Sequence, residues 1–172
     1  MGLVSAKEVA KEIGVGRYGF FGNFIGWVLM VLTKITTINR LPMSGAYITI
    51  SNHPLGGIDG VLLLKLMLQE RKDFKIIANF LLHRIAPLKP YIMPVKPFES
   101  HKDAKSSLMG FKSALLHLKE GHPLGIFPAG EVSTYKDGKL VVDRPWEEAA
   151  IKLIRKAEVP VVPIYFHARN SR

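Results

Sequence analysis

Residues 51–60 read Ser-Asn-His-Pro-Leu-Gly-Gly-Ile-Asp-Gly, and two of them, His53 and Asp59, are of the types that move protons. A strand-like run, AYITIS at 46–51, precedes them, and a helix-like run, GVLLLKLMLQE at 60–70, follows. That context puts His53 at the carboxyl end of a strand and Asp59 in the first turn of a helix. A Gly56-Gly57 turn lets the chain fold back so that imidazole and carboxylate can meet. A carboxylate that accepts from one ring nitrogen fixes the tautomer and stabilises the imidazolium, leaving the other nitrogen as a general base. No serine nucleophile is needed when the attacking group is the substrate's own hydroxyl. The helix N-terminus also offers amide donors to an anion. The plainer alternative gives these residues no chemistry: Asp59 as a helix cap, His53 as a polar turn residue, the glycines as loop.

A second constellation, Gly-Ile-Phe-Pro-Ala-Gly-Glu-Val-Ser at 125–133, again follows a strand-like run. Its turn supplies backbone amides beside a sheet, with Glu131 and Ser133 as hydrogen-bonding groups. Alone it reads as a turn before a loop, with Glu131 as a capping group. A third, VPVVPI at 159–164, is a strand with two prolines and reads as structural. Other chemistries lack their residues. No Gly-x-Ser-x-Gly elbow is present, which disfavours a serine lipase. A phosphate loop ending in Gly-Lys-Ser/Thr is also absent. The chain has no cysteine, so disulfides, thiolate nucleophiles and thiolate zinc sites are excluded. His101, His117, His122 and His167 show no metal-ligand spacing and read as surface or core residues.

The elements that must position these groups alternate in type. Strands are expected at 46–51, 74–78, 91–95 (short, broken by Pro94), 123–128, 139–142 and 160–166, and helices at 60–70, 103–120 and 146–157. Within 103–120 the apolar stripe is Ala104, Leu108, Phe111, Leu115 and Leu118, with Gly121 as the stop. Alternation of this kind predicts an α/β domain with a mostly parallel central sheet flanked by helices. In such sheets ligands gather at the carboxyl ends of the strands, which directs attention to the residues after 51 and after 127.

Residues 1–40 read differently and are expected to form a separate, N-terminal membrane-associating helical segment ahead of the 41–172 domain. Residues 3–13 suggest a short charged helix. Gly14 to Gly19 formally matches a dinucleotide fingerprint but lacks the preceding strand and the later acidic residue. The stretch 20–33 carries no charge and is short for crossing a hydrocarbon core, so a helix lying in the interface is expected. Tyr18 and Trp27 would anchor it, and Lys11, Arg17 and Lys34 would meet headgroups. A buried helix of a soluble domain is the alternative. With 24 Lys+Arg against 14 Asp+Glu, the formal charge of +10 suits an anionic membrane or an acidic carrier. Nucleic acid would rest on charge alone, since no recognition module is present. The chain stops immediately after its last strand, so a truncated domain is one expectation.

Taken in order, these motifs resemble the glycerolipid acyltransferases of the lysophosphatidate acyltransferase superfamily, over about residues 44–171. The family's first motif is Asn-His-x-x-x-x-Asp. Ser51-Asn52-His53 matches, with one extra residue before Asp59. Its third motif is Phe-Pro-Glu-Gly-Thr; Phe127, Pro128 and Gly130 match, Ala129 replaces the Glu, and Glu131 lies two places later. Both departures resemble the hemolysin-like branch that includes O-acyltransferases of ornithine and glycine lipids. The resemblance implies that His53, oriented by Asp59, deprotonates a lysolipid hydroxyl, either lysophosphatidate or a lyso-amino-acid lipid. The alkoxide would attack an acyl thioester of acyl-carrier protein or coenzyme A, without a covalent enzyme intermediate, cofactor or metal. Asn52, Gly56, Gly57, Phe127, Pro128, Gly130, Glu131 and Ser133 are then expected around the substrates. Arg84 and Lys96, in the weakly preserved second motif, are candidates for the acceptor headgroup. The expected place is the cytoplasmic face of the membrane, peripheral or anchored at the interface. Two other readings remain: a non-enzymatic, membrane-perturbing lipid binder, and a thioester hydrolase using the same His-Asp pair.

Overall fold

The computed structural model describes residues 41–95, 104–136 and 140–168. The expected membrane-associating segment at 1–40 lies outside these residues, as do His101 and Lys96. Among the described residues no helix is long and apolar enough to cross a membrane.

The elements run β1 (Ile48–Ser51), α1 (Gly57–Glu70), β2 (Lys75–Asn79), a short α2 (Phe80–His83), a 3-10 turn (Lys89–Tyr91), β3 (Ile92–Val95), α3 (Ala104–Lys119), β4 (Leu124–Ile126), β5 (Thr134–Lys136), β6 (Leu140–Val142), α4 (Glu148–Ala157) and β7 (Val161–Ile164). Five strands form one sheet in the order β3-β2-β4-β1-β7, and every pairing in it is parallel. This is the predicted α/β architecture. The weak strand at 139–142 departs from it: β6 pairs antiparallel with β5 in a separate two-stranded hairpin. The β5 strand itself was not anticipated.

Strand alternation sorts the core into two layers. Tyr47, Phe74 and Ile76 join Leu63, Leu64 and Met67 of α1 on one face, with Phe166 beyond β7. On the other face Ile48, Leu124 and Ile126 meet Ala114 and Leu118 of α3 and Leu153 of α4. Each fully buried Leu, Met or Phe stabilises by about 1.5–3 kcal/mol relative to exposure. Gly125 lies between the layers where no side chain fits: a Cβ there would come within 2.7 Å of Phe74 and 2.9 Å of Ile76. The two edge strands each carry a proline, Pro94 in β3 and Pro163 in β7. Proline lacks the ladder N–H, so it is tolerated at an edge and blunts it against further pairing.

The amino end of the sheet is tied by one side chain. Arg71 donates to the carbonyls of Gly45 (2.8 Å) and Gly121 (3.2 Å) and forks onto Asp73 at 2.7 and 3.0 Å. His122 Nδ1 meets the same carboxylate at 2.8 Å. Arg71 first, and His122 after it, hold the Asp73 carboxyl well below the usual carboxylate range. Loops preceding β1, β2 and β4 are thereby joined, leaving the carboxyl end for chemistry.

Candidate active site

β1 and β4 are neighbours, so the segments that leave their carboxyl ends emerge side by side. The first carries His53 and the second Phe127. After Ser51 the chain turns through Pro54 and Gly56 into α1. Gly56 has φ 70°, a left-handed conformation that a β-carbon disfavours, and a Cβ there would sit 3.2 Å from Val132. This turn brings the first turn of α1 back over the strand end.

His53 Nδ1 and Asp59 Oδ2 stand 3.1 Å apart, with Asp59 fully buried and the His53 side chain 16% exposed. The contact is close but bent: neither Nδ1 nor Asp59 Oδ1 makes an aligned hydrogen bond among the described residues. Asp59 Oδ2 also accepts the Leu55 N–H at 2.8 Å, which closes the turn onto the carboxylate. Asp59 is therefore not the helix cap of the plainer alternative; that position belongs to Gly56, with no side-chain cap bond. The imidazole rests on the Phe127 ring, centroids 4.3 Å apart, and Phe127 stacks in turn on Phe166.

His53 lines a cavity of about 430 Å³. Gly57 and Gly60 of α1, Ile76 to Asn79 of β2, Phe111 of α3 and Ala150 and Leu153 of α4 complete much of its wall. The wall is predominantly apolar, and the size falls in the usual range of small-molecule sites, roughly 300–1,000 Å³. Phe127, Pro128, Gly130 and Glu131 also line it, so the two sequence motifs meet here. The turn between them is held by Gly130 N–H to Phe127 O at 2.9 Å and by Glu147 N–H to Pro128 O at 2.8 Å.

Several expected site residues also have partners within the protein. The Asn52 amide is engaged with the backbone of Phe166, donating to its carbonyl at 2.9 Å and accepting its N–H at 2.6 Å. It thereby extends the β1–β7 pairing by one rung. Ser133 donates its N–H to the His53 carbonyl at 2.9 Å and its hydroxyl to Asp143. Glu131 is exposed and paired with Arg144 at 2.8 Å. Arg84, also exposed, lies with its guanidinium 5.4 Å from the Phe80 ring centroid and is not among the cavity residues. His117 is buried, its Nε2 3.2 Å from the Pro123 carbonyl; burial pushes its pKa down.

Sequence reasoning missed Asp143, whose Oδ1 accepts the His53 N–H at 3.3 Å. It also missed Glu147, which lines the cavity. A signal for Asp143 was available. Asp137-Gly138 between TYK and LVV is a hairpin turn signal, and it would have brought the outer ends of the two strands, with residues 133 and 143, near each other.

Comparison with known proteins shows the family to which the chain belongs. The chain is 34% identical over 142 residues to a lyso-glycine lipid O-acyltransferase of Bacteroides thetaiotaomicron, covering 80% of this chain and 49% of that protein. It is 30% identical over 171 residues to a lyso-glycine lipid O-acyltransferase of Phocaeicola vulgatus, covering 98% of this chain and 57% of that one. The chain thus spans about half the length of the curated relatives it matches. A family model described as acyltransferase matches residues 17–172, taking in both motifs and the whole described sheet. The chain belongs to this acyltransferase family.

Proposed function

We propose that the protein is a lysolipid O-acyltransferase in which His53 is the general base. The observation that carries this reading is the contact of His53 with the buried Asp59 at the wall of an apolar cavity, on the strand ends where the two family motifs converge. With Nδ1 turned to Asp59, Nε2 is the nitrogen left for the substrate. It takes the proton of the acceptor hydroxyl as the oxygen attacks the thioester carbonyl carbon. The tetrahedral intermediate collapses with cleavage of the carbon–sulfur bond, and the imidazolium returns its proton to the departing thiolate. The new ester and the free thiol balance the reaction, and no acyl-enzyme forms. The negative charge of Asp59 stabilises the imidazolium while it lasts. The apolar wall suits an acyl chain, and the thioester of acyl-carrier protein or coenzyme A is the co-substrate.

The name shared by the two relatives makes a lyso-amino-acid lipid the first acceptor to try, with lysophosphatidate as comparison. The uncharged stretch at 20–33 and the formal charge of +10 favour work at an anionic bilayer surface, on its cytoplasmic face. Lys96 remains a candidate for the headgroup.

The test is acyl transfer by wild type and His53→Ala. Labelled acyl-carrier protein or acyl-coenzyme A is supplied with each lysolipid, and products are read by mass spectrometry. A diacylated lipid from wild type, lost in His53→Ala while vesicle binding persists, supports the reading. Transfer by His53→Ala at the wild-type rate refutes it. Free fatty acid released without an acceptor would mean a thioester hydrolase. Binding to vesicles with no transfer would mean a lipid binder.

A further inference from the structure

His53 stands two residues past the end of β1, beyond the sheet ladder, where its own peptide groups need partners from elsewhere. The hairpin supplies both. Ser133, directly before β5, donates its N–H to the His53 carbonyl at 2.9 Å. Asp143, directly after β6, accepts the His53 N–H on Oδ1 at 3.3 Å. The Ser133 hydroxyl donates to that same oxygen in a short contact. Pairing of Thr134 with Val142 holds the two ends of the hairpin at this spacing. One serine and one carboxylate oxygen therefore bracket a single residue, and that residue carries the imidazole.

The ring and the backbone of His53 are thus held by different elements. The ring touches Asp59 from α1 and Phe127 from the end of β4. The backbone is held from the hairpin. The adjacent Arg144 points its charge elsewhere, to Glu131.

The geometry points to Asp143 as a positioning residue for the general base: by fixing the His53 peptide it sets where the imidazole stands relative to Asp59 and the cavity. This rests on the reading of His53 as the base. Asp143 touches no substrate in this account; it acts through His53. A displacement of reacting groups by about 1 Å can cost on the order of 10²-fold in rate, which sets the size of the effect to look for.

The experiment uses the full chain as wild type, Asp143→Ala and Asp143→Asn. Asparagine keeps an Oδ1 that can accept from both donors; alanine removes it. Asp143→Ala is expected to lower kcat roughly 10- to 100-fold with KM for the lysolipid within about twofold, and Asp143→Asn to restore most of kcat. A second readout needs no turnover. With carbon-13-labelled histidine, the His53 ring resonance is identified by its loss in His53→Gln. It should move in Asp143→Ala and stay in Asp143→Asn, while the His117 and His122 resonances hold still in both. Wild-type kcat in Asp143→Ala overturns the inference, and so does an unmoved His53 resonance. An Asn variant as slow as the Ala variant overturns it too. A concerted shift of all three histidines assigns Asp143 a merely structural role and overturns it as well. If wild type acylates no lysolipid, the functional reading falls, and the resonance arm alone decides the bracket.

Discussion

Asn52 adjoins His53 in the sequence motif, and in the structure its amide is engaged with the backbone of Phe166. Its two bonds go to the N–H and carbonyl of Phe166, a residue only 2% exposed. Replacing Asn52 by Ala leaves both backbone groups unpaired in a site with little water access. A buried group stripped of its partner costs about 1–3 kcal/mol. Because both bonds are only part-buried, the pair should cost roughly 2–4 kcal/mol, in the lower part of the summed range. For a chain of this size 1 kcal/mol lowers Tm by about 2–4 °C, which gives an expected drop of roughly 5–15 °C. Asn52→Asp should be no better, because one carboxylate oxygen would face the Phe166 carbonyl with no proton to offer. Urea and thermal unfolding of the three proteins measure this, with acyl-transfer kinetics run alongside. A loss below about 0.5 kcal/mol, the range of ordinary surface substitutions, together with a raised KM for the acceptor, would refute the clamp. It would return Asn52 to the substrate-binding role that the motif suggests.

Three further outcomes are expected. Asp59→Asn can still accept the Leu55 N–H but no longer stabilises the imidazolium, so kcat should fall about 10²- to 10⁴-fold with the fold intact; near-wild-type transfer would remove Asp59 from the pair. Burial lowers the His117 pKa from its ordinary 6.5, so the unfolded chain binds the proton more readily than the folded one. The contribution of neutral His117 to stability is present above 6.5 and declines as pH falls through the folded value. Melting at pH 8 and 5.5 should show that loss, reduced in His117→Gln; equal slopes would disprove it. Gly125→Ala places a methyl within 2.7 Å of Phe74, 2.9 Å of Ile76 and 3.0 Å of Leu63, and overpacking of that kind costs about 1–3 kcal/mol. A thermal melt unchanged by the substitution would contradict that packing.

The central sheet was legible because parallel strands buried on both faces read as short apolar runs between helical periods. Ile48 to Ser51, Lys75 to Asn79 and Leu124 to Ile126 all fall within or at the edges of the expected segments. The strand at 91–95 was legible despite Pro94, because an edge position tolerates proline. The β5–β6 hairpin was less so. Its strands are three residues each, and Thr134 and Lys136 are exposed, so hydrophobic alternation gives little signal. The pair at the centre of the site was legible from residue type and position at a strand end. The partners that Asn52, Ser133 and Glu131 take within the protein were not. Motif membership marks a residue as close to the chemistry without saying which way its side chain turns, and these three turn to Phe166, Asp143 and Arg144.

That division has a physical logic. The contact of His53 with Asp59 needs support from other elements, because five residues separate the two and the turn between them contains two glycines. The chain closes that gap in three ways. Gly56 takes the left-handed conformation that lets α1 start where it does. The Leu55 N–H is captured by the same carboxylate oxygen that faces the imidazole, so the turn and the pair form together. Asn52 then ties the residue before His53 to Phe166 beyond β7, and Asp143 holds the His53 N–H from the hairpin. One polar group from the motif, Asn52, and one from outside it, Asp143, therefore hold the segment that carries His53. Substitutions at Asn52 and Asp143 should consequently differ in kind: the first lowers Tm, because it strips a buried rung from the sheet, while the second lowers kcat, because it frees the base.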